Sequence, residues 1–178
     1  PSLNRLEPME KPEIMTIQVG ETLPNVLLHR MGEGGPVSVS SDDLFADQTV
    51  VLFAVPGAFT PTCSQSHLPG FVVNADTLKA KGVDRVVCLS VNDAFVMAAW
   101  GKQQNADALD MIADGNADFV EALGLEMDAT ARGMGVRSRR FALIVKNGVV
   151  EWIAVEEAGQ FEVSSSEHVI NALDKLQS

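Results

Sequence analysis

Cys63 is the residue best placed to do chemistry in this 178-residue chain, within the run PGAFTPTCSQSHLPG over residues 56–70. That run starts where an apolar segment, Val50–Val55, ends. Proline favours the first helical position, so Pro61 makes Thr60 the natural N-cap and puts Cys63 in the first helical turn. Unpaired amide hydrogens and the positive end of the helix dipole converge there, which lowers a cysteine pKa below its reference of about 8.5. The thiolate is the nucleophilic form, so this is a place to make one. A small buried hydrophobe would also suit the position, and placement alone leaves both readings open.

The other candidates are fewer. Cys88 sits inside RVVCLSV (residues 85–91), where burial in a strand raises a thiol pKa and leaves it inert. Cys63 and His67 are one helical turn apart, a spacing that metal ligands use. Structural zinc takes four ligands, however, and His29 and His168 fall in unrelated segments, so no metal is expected. Arg132, Arg137, Arg139 and Arg140 gather within nine positions of a chain whose formal charge is −11. They make either a solvated basic turn or a fixed cation beside a thiolate. Phe95, Trp100 and Phe119 read as core or interface.

Alternating elements must position these side chains. Val26–Met31 and Pro36–Val39 pair as a hairpin across residues 32–35, and Val50–Val55 is a strand buried on both faces. A helix runs from about Pro61 to Lys81, bent at Pro69-Gly70. A strand over Arg85–Val91 leads to a helix over Ala94–Gln104, capped by Asn92 or Asp93. Ala108–Ala113 is a weaker strand, followed by a short helix over Ala117–Leu123. Arg140–Lys146 and Val149–Val155 flank Asn147-Gly148, a strong hairpin signal. Ser164-Ser165-Ser166-Glu167 reads as a capping box with Ser164 at the cap, ahead of a helix carrying Val169, Ile170, Leu173 and Leu176. The pattern is α/β, with helices flanking a mixed central β-sheet. A thioredoxin-like fold fits it, although periodicity does not separate that from a small doubly wound fold. Residues 1–14, with three prolines and no apolar period, read as an N-terminal extension of the kind an expression tag leaves, and 15–178 as one domain.

Composition narrows the classes further. Twenty-four acidic against 13 basic residues are a poor match to nucleic acid or to an anionic membrane surface. The longest apolar stretch, Val50–Pro56, falls far short of the roughly 20 residues of a membrane span, and no secretory signal is visible. Two cysteines cannot build a disulfide framework. A cytoplasmic protein is expected.

Pro56-x-x-x-Thr60-x-x-Cys63 is similar to the active-site signature of peroxiredoxins, and the longer run resembles their type II, peroxiredoxin-5-like subfamily. CLSVNDAFVMAAWGK (residues 88–102) and GVRSRRF (residues 135–141) extend the resemblance, which runs from about Met15 to the C-terminus. It implies a peroxidase that reduces hydrogen peroxide and organic hydroperoxides without cofactor or metal, through a sulfenic acid at Cys63. It further implies that Thr60 binds peroxide and thiolate, that Pro56 shields the pocket, and that backbone amides of Thr62 and Cys63 donate to the peroxide. Arg140 is implied as the thiolate-positioning cation, with Arg137 and Arg139 as fallbacks; strand alternation does not choose, because both faces of 139–145 are apolar. His67 is expected to hydrogen-bond locally near its helix. Some members carry a resolving cysteine aligned near Ser164, where this chain has none. A one-cysteine cycle follows, with glutathione and glutaredoxin, or thioredoxin, as the outside thiol. A homodimer is implied, with Met97 and Trp100 as candidate contacts. A non-catalytic thioredoxin-like binding or holdase module is the alternative, and a Cys-x-x-Cys oxidoreductase is disfavoured because Gln65 and Ser66 follow Cys63.

Overall fold

The computed structural model describes residues 16–178; the extension expected over 1–14 lies outside the described residues. Strands β1 (Leu27–Gly32) and β2 (Gly35–Ser40) form the expected hairpin, with Gly32 opposite Gly35 so that Glu33-Gly34 is the turn. A short helix, α1 (Ser41–Phe45), follows at once, because the Ser40 side chain caps it by accepting from the Asp43 N–H. Strand β3 (Thr49–Val55) occupies the interior of the sheet. Helix α2 (Leu68–Ala80), β4 (Arg85–Ser90), α3 (Ala94–Gln103) and β5 (Asp110–Ala113) complete two parallel crossovers. Next come α4 (Asp118–Ala122), a small separate pair β6 (Glu126–Asp128) and β7 (Val136–Ser138), then β8 (Phe141–Lys146), β9 (Val149–Val155) and α5 (Ser166–Gln177). The main sheet runs β2-β1-β5-β4-β3-β8-β9, with β3, β4 and β5 mutually parallel and the other pairings antiparallel.

Pleating sends β3 side chains alternately into two cores. Val51, Phe53 and Val55 pack with α2, α3 and α5; Val50, Leu52 and Ala54 pack with α1 and α4. All six are fully buried, as a strand covered on both faces requires. The β8–β9 turn is the expected one: Asn147 and Gly148 take φ of 47° and 77°, the left-handed pair that matches the strand twist.

Three local expectations change, and the choice left open at the start of α3 is decided. The irregularity in the first long helix lies at Cys63–His67, where the chain makes a π-helical turn and the Leu68 N–H reaches the Cys63 carbonyl. Pro69 explains it, since it has no N–H for Gln65 and its ring crowds that carbonyl, so the preceding turn widens. Asp93, not Asn92, caps α3 by accepting from the Val96 N–H at 2.8 Å. The cap of α5 is Ser165, which accepts from the His168 N–H; Ser164 is buried and bonded elsewhere, so the helix starts one residue late for a capping box. Met97 and Trp100 are fully buried on the inner face of α3 and offer nothing to a partner; among the aromatics singled out, Phe95 is the exposed one, at 63%.

Candidate active site

The end of β3 and the start of the π-helical turn frame a cleft of about 560 Å³, lined in part by Pro56, Thr60, Thr62, Arg132, Arg140 and Gln160. Cys63, which follows the lining residue Thr62 in the chain, is fully buried. The loop that leads to it is anchored through Asn92. Asn92 Oδ1 accepts from the Ala58 N–H at 3.0 Å and from the Ser90 hydroxyl at 2.6 Å, which ties the loop to the end of β4. Phe59 takes φ of 65°, a strained value for a bulky side chain, of the kind that clusters at functional sites. Thr60 stands at the helix entry as expected, but its hydroxyl donates to the Gly57 carbonyl at 2.6 Å, inside the loop. A Cβ on Gly57 would come within 3.1 Å of Thr60 Cγ2, so glycine is what lets Thr60 sit there.

Of the four clustered arginines, Arg140 reaches the cysteine, with Nη2 donating to Cys63 Sγ at 3.1 Å. Register explains the choice. Phe141 faces the α1/α4 core with Leu143 and Val145, so Arg140, one residue earlier, faces the opposite layer, where Cys63 lies. Arg137 is engaged elsewhere, donating to the Met134 and Val91 carbonyls at 2.9 and 3.1 Å, and Arg139 donates to the Glu156 carbonyl at 3.1 Å. Arg132 is exposed at the rim of the cleft.

Two residues hold the site together through contacts that the sequence did not reveal. His67, expected to bond locally, instead bridges distant segments: Nδ1 meets Arg140 Nη1 at 2.9 Å and Nε2 meets the Ser164 carbonyl at 2.9 Å. Both ring nitrogens are therefore engaged, and the Cys63/His67 pair has no free imidazole nitrogen for a metal. Burial, reinforced by the Arg140 charge, pushes the His67 pKa down to about 3 against the opposing pull of the Ser164 carbonyl and Glu156. Glu156, just past β9, is the second. Its carboxylate accepts from the backbone N–H groups of Glu162, Val163 and Ser164, each at 2.9 Å, and from the Ser164 hydroxyl at 2.7 Å. Burial alone would raise its pKa, yet the Ser164 hydroxyl and those amides hold it below the ordinary carboxylate range. Phe161, on the same loop, packs beside the His67 ring with centroids 4.9 Å apart and lies 5.8 Å from the Arg140 guanidinium carbon. Cys88 is fully buried in β4, and burial, then the proximity of Cys63, raises its pKa well above the usual thiol value. Among the described residues no three His, Cys, Asp or Glu side chains gather as a metal site, and no helix is long and apolar enough to cross a membrane.

The Redoxin family profile matches residues 18–170. The chain is 49% identical over 167 residues to the chloroplastic peroxiredoxin-2E-2 of Oryza sativa subsp. japonica, covering 90% of this chain and 74% of that one. It belongs to the Redoxin family, as a type II peroxiredoxin. Reduced Prx3 from Vibrio vulnificus, solved in complex with hydrogen peroxide, is 55% identical and superposes with a TM-score of 0.86 over 89% of this chain and 99% of that one. The 1-Cys peroxiredoxin antioxidant protein of Plasmodium falciparum is 27% identical, with a TM-score of 0.83 and the same coverages. This peroxiredoxin accordingly has the thioredoxin-like α/β fold and is a thiol-dependent peroxidase.

Proposed function

We propose that Cys63 is the peroxidatic nucleophile of a one-cysteine cycle. Its thiolate attacks the terminal oxygen of a hydroperoxide, the O–O bond breaks, and water or an alcohol leaves once the departing oxygen is protonated. Cys63 becomes a sulfenic acid. The observation that carries this reading is the 3.1 Å contact from Arg140 Nη2, a fixed positive charge that favours the thiolate and meets charge developing on the peroxide oxygens. The Thr60 hydroxyl donates its hydrogen bond to the Gly57 carbonyl, so its oxygen offers lone pairs to a peroxide O–H. Pro56 lines the cleft and limits water, and the backbone amides of Thr62 and Cys63, in the first helical turns, are the donors toward the peroxide. Hydrogen peroxide bound by the Vibrio vulnificus relative supports the substrate class.

For resolution, an outside thiol attacks the sulfenic sulfur and releases water, leaving a mixed disulfide on Cys63. A second thiol then restores Cys63 and carries the disulfide away. The fully buried, high-pKa Cys88 and the serine at position 164 favour this over an internal disulfide, as does the likeness to a 1-Cys relative. Glutathione with glutaredoxin, or thioredoxin, fits the role. The same reading includes a cytoplasmic location and a homodimer, whose contacts shift from Met97 and Trp100 to the exposed Phe59 and Phe95. Non-reducing mass spectrometry after one equivalent of peroxide tests the cycle. A sulfenic acid on Cys63, converted by glutathione to a mixed disulfide, is expected; a dominant Cys63–Cys88 bond would overturn it. Turnover with each reductant separates the two donors, and Cys88→Ser is expected to retain nearly full activity while Cys63→Ser loses it.

A further inference from the structure

Cys63, Arg140, His67, Ser164 and Glu156 form one chain of hydrogen bonds, buried except at the half-buried Arg140, that ends in a carboxylate gripping a loop. We propose that His67 is a positioning residue of the peroxidase reaction: a neutral imidazole, protonated on Nε2, that fixes the Arg140 guanidinium so that Nη2 points at Cys63 Sγ. The inference rests on the reading of Cys63 as nucleophile and Arg140 as its cation.

The two neighbours prescribe the tautomer. The Ser164 carbonyl only accepts, so Nε2 carries the proton; the guanidinium only donates, so Nδ1 is bare. A second ring proton would set N–H against N–H and cation against cation in a fully buried place. The charged groups facing His67 are Arg140 and, through the Ser164 loop, Glu156, with the Cys63 thiol beyond Arg140. One edge of the guanidinium is thereby divided between His67 at 2.9 Å and Sγ at 3.1 Å.

The choice of imidazole follows from charge. A carboxylate in this place would orient Arg140 equally well, but it would neutralise the field that a thiolate needs. A neutral acceptor orients without that loss. The negative charge that anchors the assembly sits farther off, on Glu156, where it is spent on the backbone donors of 162–164 and the Ser164 hydroxyl.

The test uses the two amides that mimic opposite ring nitrogens. Asparagine at 67 puts its Oδ1 near the Nδ1 position, whereas glutamine puts its amide nitrogen near Nε2. The Cys63 pKa is read from the pH dependence of its alkylation, followed on the Cys63 peptide by mass spectrometry, and the peroxide rate by stopped flow. His67→Asn is expected to keep the pKa within about half a unit and the rate within about threefold. His67→Gln is expected to raise the pKa by about one unit or more and to slow peroxide reaction at least about tenfold at pH 7, with His67→Glu raising the pKa as well. Equal losses in the Asn and Gln variants, or losses that follow melting temperature alone, overturn the proposal. Nitrogen NMR of wild-type His67 needs no variant: an Nε2–H signal unchanged from pH 5 to 9 is expected, and an Nδ1–H ring or a titrating one overturns it. If wild-type Cys63 fails to react with peroxide, the nucleophile reading falls, while the order of thiol pKa values still decides the role of His67.

Discussion

Arg140 serves two acceptors from one edge of its guanidinium, and that geometry decides what a substitution costs. Lysine keeps the charge but is a single point on a flexible stem, so it cannot hold His67 Nδ1 and Cys63 Sγ together. Arg140→Lys is therefore expected to slow the reaction of Cys63 with hydrogen peroxide by about 10²-fold, and Arg140→Gln by more, with little change in melting temperature. Stopped-flow fluorescence checks this, and a lysine variant within a few-fold of wild type would show that charge alone suffices. The sequence revealed these residues unevenly. Thr60 and Cys63 could be placed from helix-start grammar, since Pro61 and the preceding apolar strand are neighbours in the chain. Arg140 could not be chosen from alternation, because both faces of its strand are apolar; the facing of Phe141 makes the choice, and that is a property of the folded sheet. The contacts of His67 and Glu156 were hidden for a simpler reason. The partners of His67 lie 73 and 97 positions away, and no local pattern encodes such distances.

The segment from Glu156 to Ser164 has no regular structure, yet it carries the carbonyl that meets His67 and the ring of Phe161. What orders it is the Glu156 carboxylate, which satisfies three backbone donors and a hydroxyl in a place that is 3% exposed. Its pKa is lower in the folded chain than when unfolded, so its stabilisation is present above the unfolded value and is lost as pH falls through the folded one. Glu156→Gln is expected to cost about 1.5–3 kcal/mol at pH 7, the range for hydrogen bonds to a charged group. The gap between wild type and variant should close toward acid, below the ordinary glutamate pKa of about 4.3. Thermal unfolding of both proteins across pH 3–7 reads it, and a gap that is constant with pH removes the charge from the explanation. The loop after β3 is equally sensitive. Gly57→Ala puts a methyl group 3.1 Å from Thr60 Cγ2, so Thr60 must shift by a few tenths of an ångström. Peroxide reactivity is expected to fall by roughly tenfold with the fold intact, because reacting groups tolerate little misplacement; unchanged kinetics would remove Thr60 from the site. At this scale the long apolar strands and the Asn147-Gly148 turn were legible, since period and turn chemistry act locally. The three-residue strands β6 and β7 were not, being too short to show a period. Nor was the shift of the α5 cap from Ser164 to Ser165, which is decided by Glu156 claiming Ser164.

Over the whole molecule the charges oppose the site. The chain carries a net −11, while Arg132, Arg139 and Arg140 stand together at the cleft with Glu126, Glu156 and Glu157. Which part a reactant feels depends on distance, and salt sets that distance. The screening length falls from about 30 Å at 0.01 M to about 8 Å at 0.15 M, so at low salt an approaching molecule feels the net charge and at higher salt mainly the cleft. Hydrogen peroxide is uncharged, and its reaction with Cys63 should change by less than about 1.5-fold across that range. Glutathione bears two carboxylates and one ammonium, and its thiolate adds a further negative charge. Its reaction with the sulfenic acid is therefore expected to rise by about two- to fivefold as salt increases, because the long-range repulsion is screened before the arginines are. Double-mixing stopped flow separates the steps, with peroxide in the first mix and glutathione at each ionic strength in the second. A glutathione rate that falls with salt would mean that the arginines at the cleft already dominate at long range. In that case Arg132→Ala should abolish the salt dependence, since Arg132 is the exposed member of the three, Arg139 is bound to the Glu156 carbonyl, and Arg140 faces the sulfur.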